Sequence, residues 1–501
     1  MNKTKSYKKP NMTNPLIAGM SALANGASTA NGAKSNASTL DACVNFFGVS
    51  AALRTRSEAD VIDLFSKSFY QDRLIALKTL FYTRDVREGQ GERKTSRVIL
   101  RWLANHYTDV LVKNIDNIVL FGRWDDLYEL VGTKAEDAAF KAILIQLKTD
   151  IDNFNQQKPV SLLAKWLKSV NTSSKASCEL GYKTAEKLGL NPKQYRKTLS
   201  SLRKYIDVLE TKLSSKNYSE IDYEKVPSKA SLLYRKAFNK RDGERYRAFL
   251  GAVEKGEAKI NASVLYPYEI IRPIEQGHES DSVALQTLDL QWKNQPNWLA
   301  DNPHMGLVVC DTSGSMSGQP ILVSLSLAIY FAERNVGPFQ NTFITFSQHP
   351  TLQHITGQTI AEKVRSLSRT GWDMNTNLQA TFDLILTTAL KNKVAQKDMP
   401  TTLYIVSDMA FDSACGTNAY TNFEVIAKKY ESAGYRIPNI VFWNVNATNK
   451  DFPVTVNDRG TCLVSGCSPS ILKSVLSAKT FTPADIMLET LNKPRYNTVK
   501  V

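Results

Sequence analysis

An aspartate followed by two serines at alternate positions, Asp311-Thr312-Ser313-Gly314-Ser315, can place one carboxylate and two hydroxyls around a small hard cation. All-oxygen ligation of this kind suits Mg2+. The same residue types are also favoured at helix N-caps, so the turn by itself admits both roles. Two later positions add oxygen donors. Thr376 stands in Gly371-Trp372-Asp373-Met374-Asn375-Thr376-Asn377, and Asp408 closes the apolar run Leu403-Tyr404-Ile405-Val406-Ser407. An ordered set of this kind is more specific than any one of its members, and it favours the cation.

These residues must be positioned by strands. Leu307 to Asp311, Asn341 to Phe346, Leu403 to Asp408, Ile440 to Asn444 and Cys462 to Ser465 read as strands. Ile321 to Arg334, Leu378 to Lys391, Asn422 to Ser432 and Ser470 to Leu476 read as the helices between them. Such alternation predicts a mainly parallel sheet covered by helices. Ligands collect at the carboxyl ends of the strands of such sheets, where Asp311 and Asp408 fall.

A second set of candidates lies upstream. Residues 301–501 carry 17 Lys and Arg against 15 Asp and Glu, so of the chain totals of 63 and 48, residues 1–300 hold 46 and 33. A positive field concentrated there would attract a polyanion, nucleic acid above all, although solvated surface charge is the plainer alternative. From Asp41 to about Leu265 the apolar spacing is helical, with Glu58 to Tyr82, Lys94 to His106, Trp124 to Val131, Glu136 to Asp152, Leu162 to Val170, Tyr182 to Leu188, Gln194 to Leu213 and Lys229 to Phe238 the clearest segments. So many helices in succession predict an α-solenoid or an irregular helical array. In Gln194 to Leu213, Leu199, Leu202, Ile206, Leu209 and Leu213 share one face while Arg196, Lys197, Arg203 and Lys204 fall on another. Arg84-Asp85-Val86-Arg87-Glu88-Gly89-Gln90-Gly91-Glu92-Arg93-Lys94 joins two helices through a glycine-containing basic turn that could cradle phosphate or form internal ion pairs.

Composition bounds the rest. A chain of 501 residues with 43% hydrophobic side chains can bury two or three cores. Six scattered cysteines make no framework and fit a reducing compartment. No stretch reaches the roughly 20 apolar residues of a membrane span, so the expectation is a soluble cytoplasmic protein, most simply a monomer. Residues 1–40 have almost no large apolar side chains and are expected to form a flexible tail. Residues 266–300, with Pro267, Pro273, Gly277 and Pro296, are expected to connect a helical domain (41–265) to an α/β domain (301–501).

With these residues in view, Asp311-x-Ser313-x-Ser315, Thr376 and Asp408 resemble the metal-ion-dependent adhesion site of von Willebrand factor type A domains, over about residues 301–490. The resemblance implies a Rossmann-like fold in which Ser313, Ser315 and Thr376 contact Mg2+ directly or through water. Asp311 and Asp408 would hold it from behind, and a carboxylate from a protein partner would complete the site. A basic helical domain ahead of a type A domain resembles the Ro autoantigen family, whose TROVE module is a ring of HEAT-like helical repeats. The matching segments are Arg84 to Lys94, Gly122 to Leu130, and Tyr195-Arg196-Lys197 through Leu209-Glu210, and the likeness is greatest to plant and bacteriophage relatives. One departure is that Trp124-Asp125-Asp126 stands where that family carries a His-Lys pair.

The resemblance implies a non-enzymatic RNA-binding protein or ribonucleoprotein scaffold, with structured small RNA or RNA with a free end as ligand. Candidate phosphate contacts are Arg84, Arg87, Arg93, Lys94, Arg123, Lys165, Lys168, Arg196, Lys197, Arg203 and Lys204. The alternative is a metal-dependent protein-interaction scaffold, viral or virion-associated, in which nucleic acid is incidental. No histidine stands at a spacing that would turn the Asp-Ser turn into a hydrolytic triad.

Overall fold

The computed structural model describes residues 24–300, 305–346, 349–367, 377–412, 422–478 and 481–501. A mostly helical part is followed by a mixed, mainly parallel sheet with flanking helices. Among the described residues no helix is long and apolar enough to cross a membrane, and Cys43, Cys178, Cys310, Cys462 and Cys467 are free thiols.

Short polar side chains decide where the helices start and stop. The expected helix Glu58 to Tyr82 is two helices, Glu58–Gln71 and Arg73–Arg84, because Asp72 turns extended and its carboxylate accepts the Ile75 amide. The expected helix Gln194 to Leu213 likewise divides into Pro192–Tyr205 and Leu209–Ser215, with Asp207 between them at φ +54°. Asn191 and Gln194 cap each other's backbone amides at its start. Leu162 to Val170 shrinks to one helical turn, Leu163–Trp166, since the Arg203 guanidinium takes the carbonyls of Ala164 and Leu167 that a longer helix would use.

The expected flexible tail needs correction over its described portion. Gly26–Ser28 (β1) and Lys34–Asn36 (β2) pair as an antiparallel hairpin. Backbone bridges from Gly32 to Asp412 and from Asn36 to Phe452 bind it to the α/β part, which offsets the entropy of ordering a segment with few apolar side chains. Residues 266–300 are not a mere connection either. They hold the helices Pro267–Glu275 and Ser282–Lys293, the first beginning with its proline where a missing N–H costs nothing.

The six-stranded sheet runs β5-β4-β3-β6-β7-β8, from β3 (Gly306–Asp311), β4 (Thr342–Phe346), β5 (Leu352–His354), β6 (Thr402–Ser407), β7 (Asn439–Asn444) and β8 (Thr461–Ser465). All neighbours are parallel except β5, which joins β4 antiparallel. Strands β3, β6 and β8 are buried along their whole length, as expected of a sheet covered on both sides.

The helical part packs on the α/β part in two places. Ala42–Val49 lies on β8, so close that a Cβ on Gly48 would come within 3.1 Å of the Leu463 Cβ. Pro267–Glu275 packs on the helix Gln319–Arg334. One hydrophobic core consequently runs from Ala33 to Val499 through both parts, and a smaller one, built on Tyr223, Phe238, Tyr246 and Leu250, serves residues 209–290.

Candidate nucleic-acid cavity and candidate metal centre

Between the helices lies a cavity of about 1560 Å³ whose lining residues run from Arg84 to Tyr266. Nine of the eleven sequence-derived cations line it: Arg84, Arg87, Arg93, Arg123, Lys165, Arg196, Lys197, Arg203 and Lys204. Lys229 joins them, and Glu210 is the one acidic residue in the lining. Lys94 and Lys168 lie elsewhere, Lys94 bonded to the Arg54 carbonyl and Lys168 set 5.8 Å from the Tyr128 ring centre.

The glycine-containing basic turn is one wall, and it is braced rather than loose. Asp85 is buried and accepts the Arg495 guanidinium, the Tyr496 hydroxyl and the amides of Arg87 and Glu88. Gln90 accepts from the Ser468 amide and Gly89 from the Ser470 hydroxyl, so the α/β part grips the turn from outside. Gly91 sits at φ +61° with the Tyr266 hydroxyl 2.0 Å from where a Cβ would be. Arg87 and Arg93 project exposed from this frame.

A second wall is the helix Pro192–Tyr205, which buries Tyr195, Leu199 and Leu202 and exposes Arg196, Lys197 and Lys204. The lining cations divide by partner. Arg84 is buried against Asp126, Arg123 is held in two places by Asp125, and Lys165 stands 3.7 Å from Glu210. Arg203 spends its donors on carbonyls and on Ser169. Arg87, Arg93, Arg196, Lys197 and Lys204 have no acidic partner among the described residues. Asp125 and Asp126, the departure noted in the sequence, are buried beneath Arg84, Arg97 and Arg123 and turn no bare carboxylate toward the cavity.

Sequence reasoning missed the apolar part of the lining. Leu233 is 69% exposed and Val264 42% exposed, beside Tyr234, Tyr266 and Trp166. The Arg123 guanidinium lies 4.1 Å from the Trp166 ring centre. Leu233 reads as an ordinary apolar helix position, and only its exposure inside the cavity distinguishes it.

The carboxyl edge of the sheet brings together four of the five expected metal residues. Asp311 ends β3 wholly buried, accepting the Ser313 amide at 2.9 Å on one oxygen and the Ser407 hydroxyl at 2.5 Å on the other. The Ser313 and Ser315 hydroxyls are 3.1 Å apart. Asp408 follows β6, with Oδ1 accepting the Ala410 amide at 3.1 Å, while Oδ2 is buried with no hydrogen-bond partner among the described residues. Thr376 lies outside the described residues. Burial pushes the Asp311 carboxyl up to about 6, against the pull of Ser407 and Ser313 and with a further push from Asp408. Burial raises the Asp408 carboxyl as well, with Ser315 and Ala410 holding it back.

The N-cap role suggested for this turn is not what its side chains do. Helix Gln319–Arg334 takes Gly318 as its cap, and the 3₁₀ turn Gly314–Met316 has no side-chain cap bond. Two buried carboxylates, neighbouring hydroxyls and an unsatisfied buried oxygen suit a hard divalent cation, whose charge would favour both ionised carboxylates.

A model described as a domain of unknown function (DUF2828) matches residues 29–159 and 160–304 of the chain. A second, also described as a domain of unknown function (DUF7788), matches residues 305–498. An uncharacterized protein of Acanthamoeba polyphaga mimivirus is 31% identical over 507 residues, covering 94% of this chain and 88% of its own length. Among solved structures, the Ro (RSR) protein of Deinococcus radiodurans aligns over 91% of this chain and 99% of its own, at 12% identity and a TM-score of 0.37. A likeness that distant carries no functional conclusion.

Proposed function

The chain belongs to the family of the DUF2828 domain, here joined to DUF7788, and for this member we propose an RNA-binding scaffold that also holds a protein partner through a divalent cation. The observation that carries the RNA reading is the convergence of nine sequence-derived cations on one cavity that has a single carboxylate in its lining. Five of those cations have no acidic partner among the described residues, so a phosphodiester backbone would supply their counter-charge.

The lining of the cavity favours an unpaired strand. Exposed Leu233 and Val264 and the aromatic rings give splayed bases an apolar surface to rest on. The role proposed is binding, not catalysis.

At the sheet edge, Ser313, Ser315 and Thr376 would hold Mg2+, with Asp311 and Asp408 behind them. The bound cation supplies a Lewis-acidic position for a partner's carboxylate. The buried, unpartnered Asp408 Oδ2 supports this. Filter binding of the full chain to single-stranded and duplex RNA of equal length, at low and moderate salt, tests the RNA part, and no binding of the single strand at low salt defeats it. Capture of protein partners with and without chelator tests the other: partners held through the cation should be lost with Asp311→Ala, while RNA stays bound.

A further inference from the structure

The hairpin of β1 and β2 lies against the loops that follow β6 and β7, the same edge that carries Asp408. Four contacts fasten it there. The Thr29 hydroxyl donates to the Phe411 carbonyl at 2.5 Å while accepting the Ala33 amide at 2.9 Å. The Asn31 side-chain amide donates to the Ala410 carbonyl at 2.7 Å. Gly32 bridges to Asp412, and Asn36 exchanges backbone bonds of 2.9 and 2.7 Å with Phe452.

Ala410 is the link to the metal edge. Its amide holds Asp408 Oδ1 at 3.1 Å, leaving Oδ2 buried and unpartnered. Between the two residues Met409 adopts φ +67°, a left-handed conformation that a side chain such as methionine rarely takes and that persists only where its surroundings impose it. The sheet restrains this loop in part: the Ser407 hydroxyl accepts the Met409 amide, and the Phe411 ring centre stands 5.7 Å from that of Phe346 and 6.0 Å from that of Phe442. Further grip comes from the hairpin on Ala410 and Phe411, and from Asn449, whose amide donates to the Asp408 carbonyl at 3.3 Å.

We propose that Thr29 and Asn31 are positioning residues for the cation site: the hairpin fixes the loop after β6 so that Asp408 presents an unpaired oxygen to a divalent cation. This inference rests on the cation reading of that site. It makes the metal centre a product of both parts of the chain, with an outer shell contributed by residues more than 370 positions from the carboxylate they orient. Loss of such orienting contacts typically weakens metal affinity by about 10–100-fold.

The test is a titration of the full chain with Mn2+, followed by electron paramagnetic resonance, with thermal melts of each variant as a fold control. The expected result is one bound ion in the natural sequence, lost in Asp311→Ala, and weakened by about tenfold in Thr29→Val and in Asn31→Ala. Thr29→Ser, which keeps the hydroxyl, should restore the natural affinity, and Ser28→Ala, at an exposed hairpin position, should not change it. Binding of natural strength in both Thr29→Val and Asn31→Ala overturns the proposal while leaving the cation reading intact. No Mn2+ binding by the natural sequence overturns the cation reading, and the proposal falls with it.

Discussion

Replacing Arg196 and Lys197 together by glutamine should flatten the salt dependence of RNA binding by a calculable amount. Both side chains are exposed on the helix Pro192–Tyr205, line the cavity and have no acidic partner among the described residues, so the double variant should fold normally, with stability changed by no more than about 0.5 kcal/mol per site. The five lining cations without acidic partners set the expected number of phosphate contacts. For a single strand the slope of log K against log salt is about −0.7 per contact, which gives about −3.5 for five and about −2.1 for three. Between 50 and 200 mM salt the natural protein should then lose about 130-fold in affinity and the double variant only about 20-fold. Fluorescence anisotropy with a labelled single-stranded oligonucleotide across that range measures both slopes. Lys94→Gln serves as the control, because Lys94 is basic and exposed but off the lining. Equal slopes for the natural and doubly substituted proteins, or an equal flattening by Lys94→Gln, would refute the assignment of phosphate contacts to the cavity.

Three other perturbations have defined outcomes. Because Asp311's carboxyl stands at about 6 in the metal-free fold, above its ordinary range, its contribution to stability is present at low pH and is lost as pH rises toward and through 6. On the proposed reading Mg2+ would bind the ionised form, so its affinity should climb over the same interval and level off above it, which thermal melts with and without Mg2+ between pH 4.5 and pH 8 will show. Arg495→Ala should remove about 3 kcal/mol in urea unfolding, since it leaves the buried Asp85 carboxylate without its cation, and an unchanged midpoint would contradict the bracing role. Gly91→Ala should destabilise by at least about 1 kcal/mol and weaken RNA binding, because a Cβ there meets both a left-handed backbone and the Tyr266 hydroxyl. Calorimetry and the same anisotropy assay check it.

The α/β part was legible because β3, β6, β7 and β8 are short apolar runs, each ending at a polar residue, with helices between them, whereas the short edge strand β5, Leu-Gln-His, carries no such signal. Asp311 and Asp408 could be placed at strand ends without knowing the sheet order, since the parallel crossover dictates the edge on which they emerge. Helix Lys94–His106 was equally readable, its apolar side chains recurring on one face. The hairpin at residues 26–36 was not. Its Ser, Ala, Asn and Gly residues carry no periodic apolar signal, and what orders them is backbone pairing with Asp412 and Phe452. Proline in 266–300 suggested a break, yet Pro267 opens a helix and Pro273 sits within it. The cations were visible as a set, but their division into held and available ones was not, because Arg84 finds its carboxylate 42 positions away at Asp126.

The close approach of Gly48 to Leu463 also bears on how such a chain can be cut or recombined. The two matching domain models meet at residues 304 and 305, yet the first helix of the upstream part covers the last strand of the downstream sheet. Expressed alone, the downstream half would bare the apolar side of β8, and the upstream half would bare the helix that shields it. An exchange of halves between relatives must therefore match the glycine on one side to the leucine on the other. The border between the two models is a seam in the sequence that the packed molecule does not share.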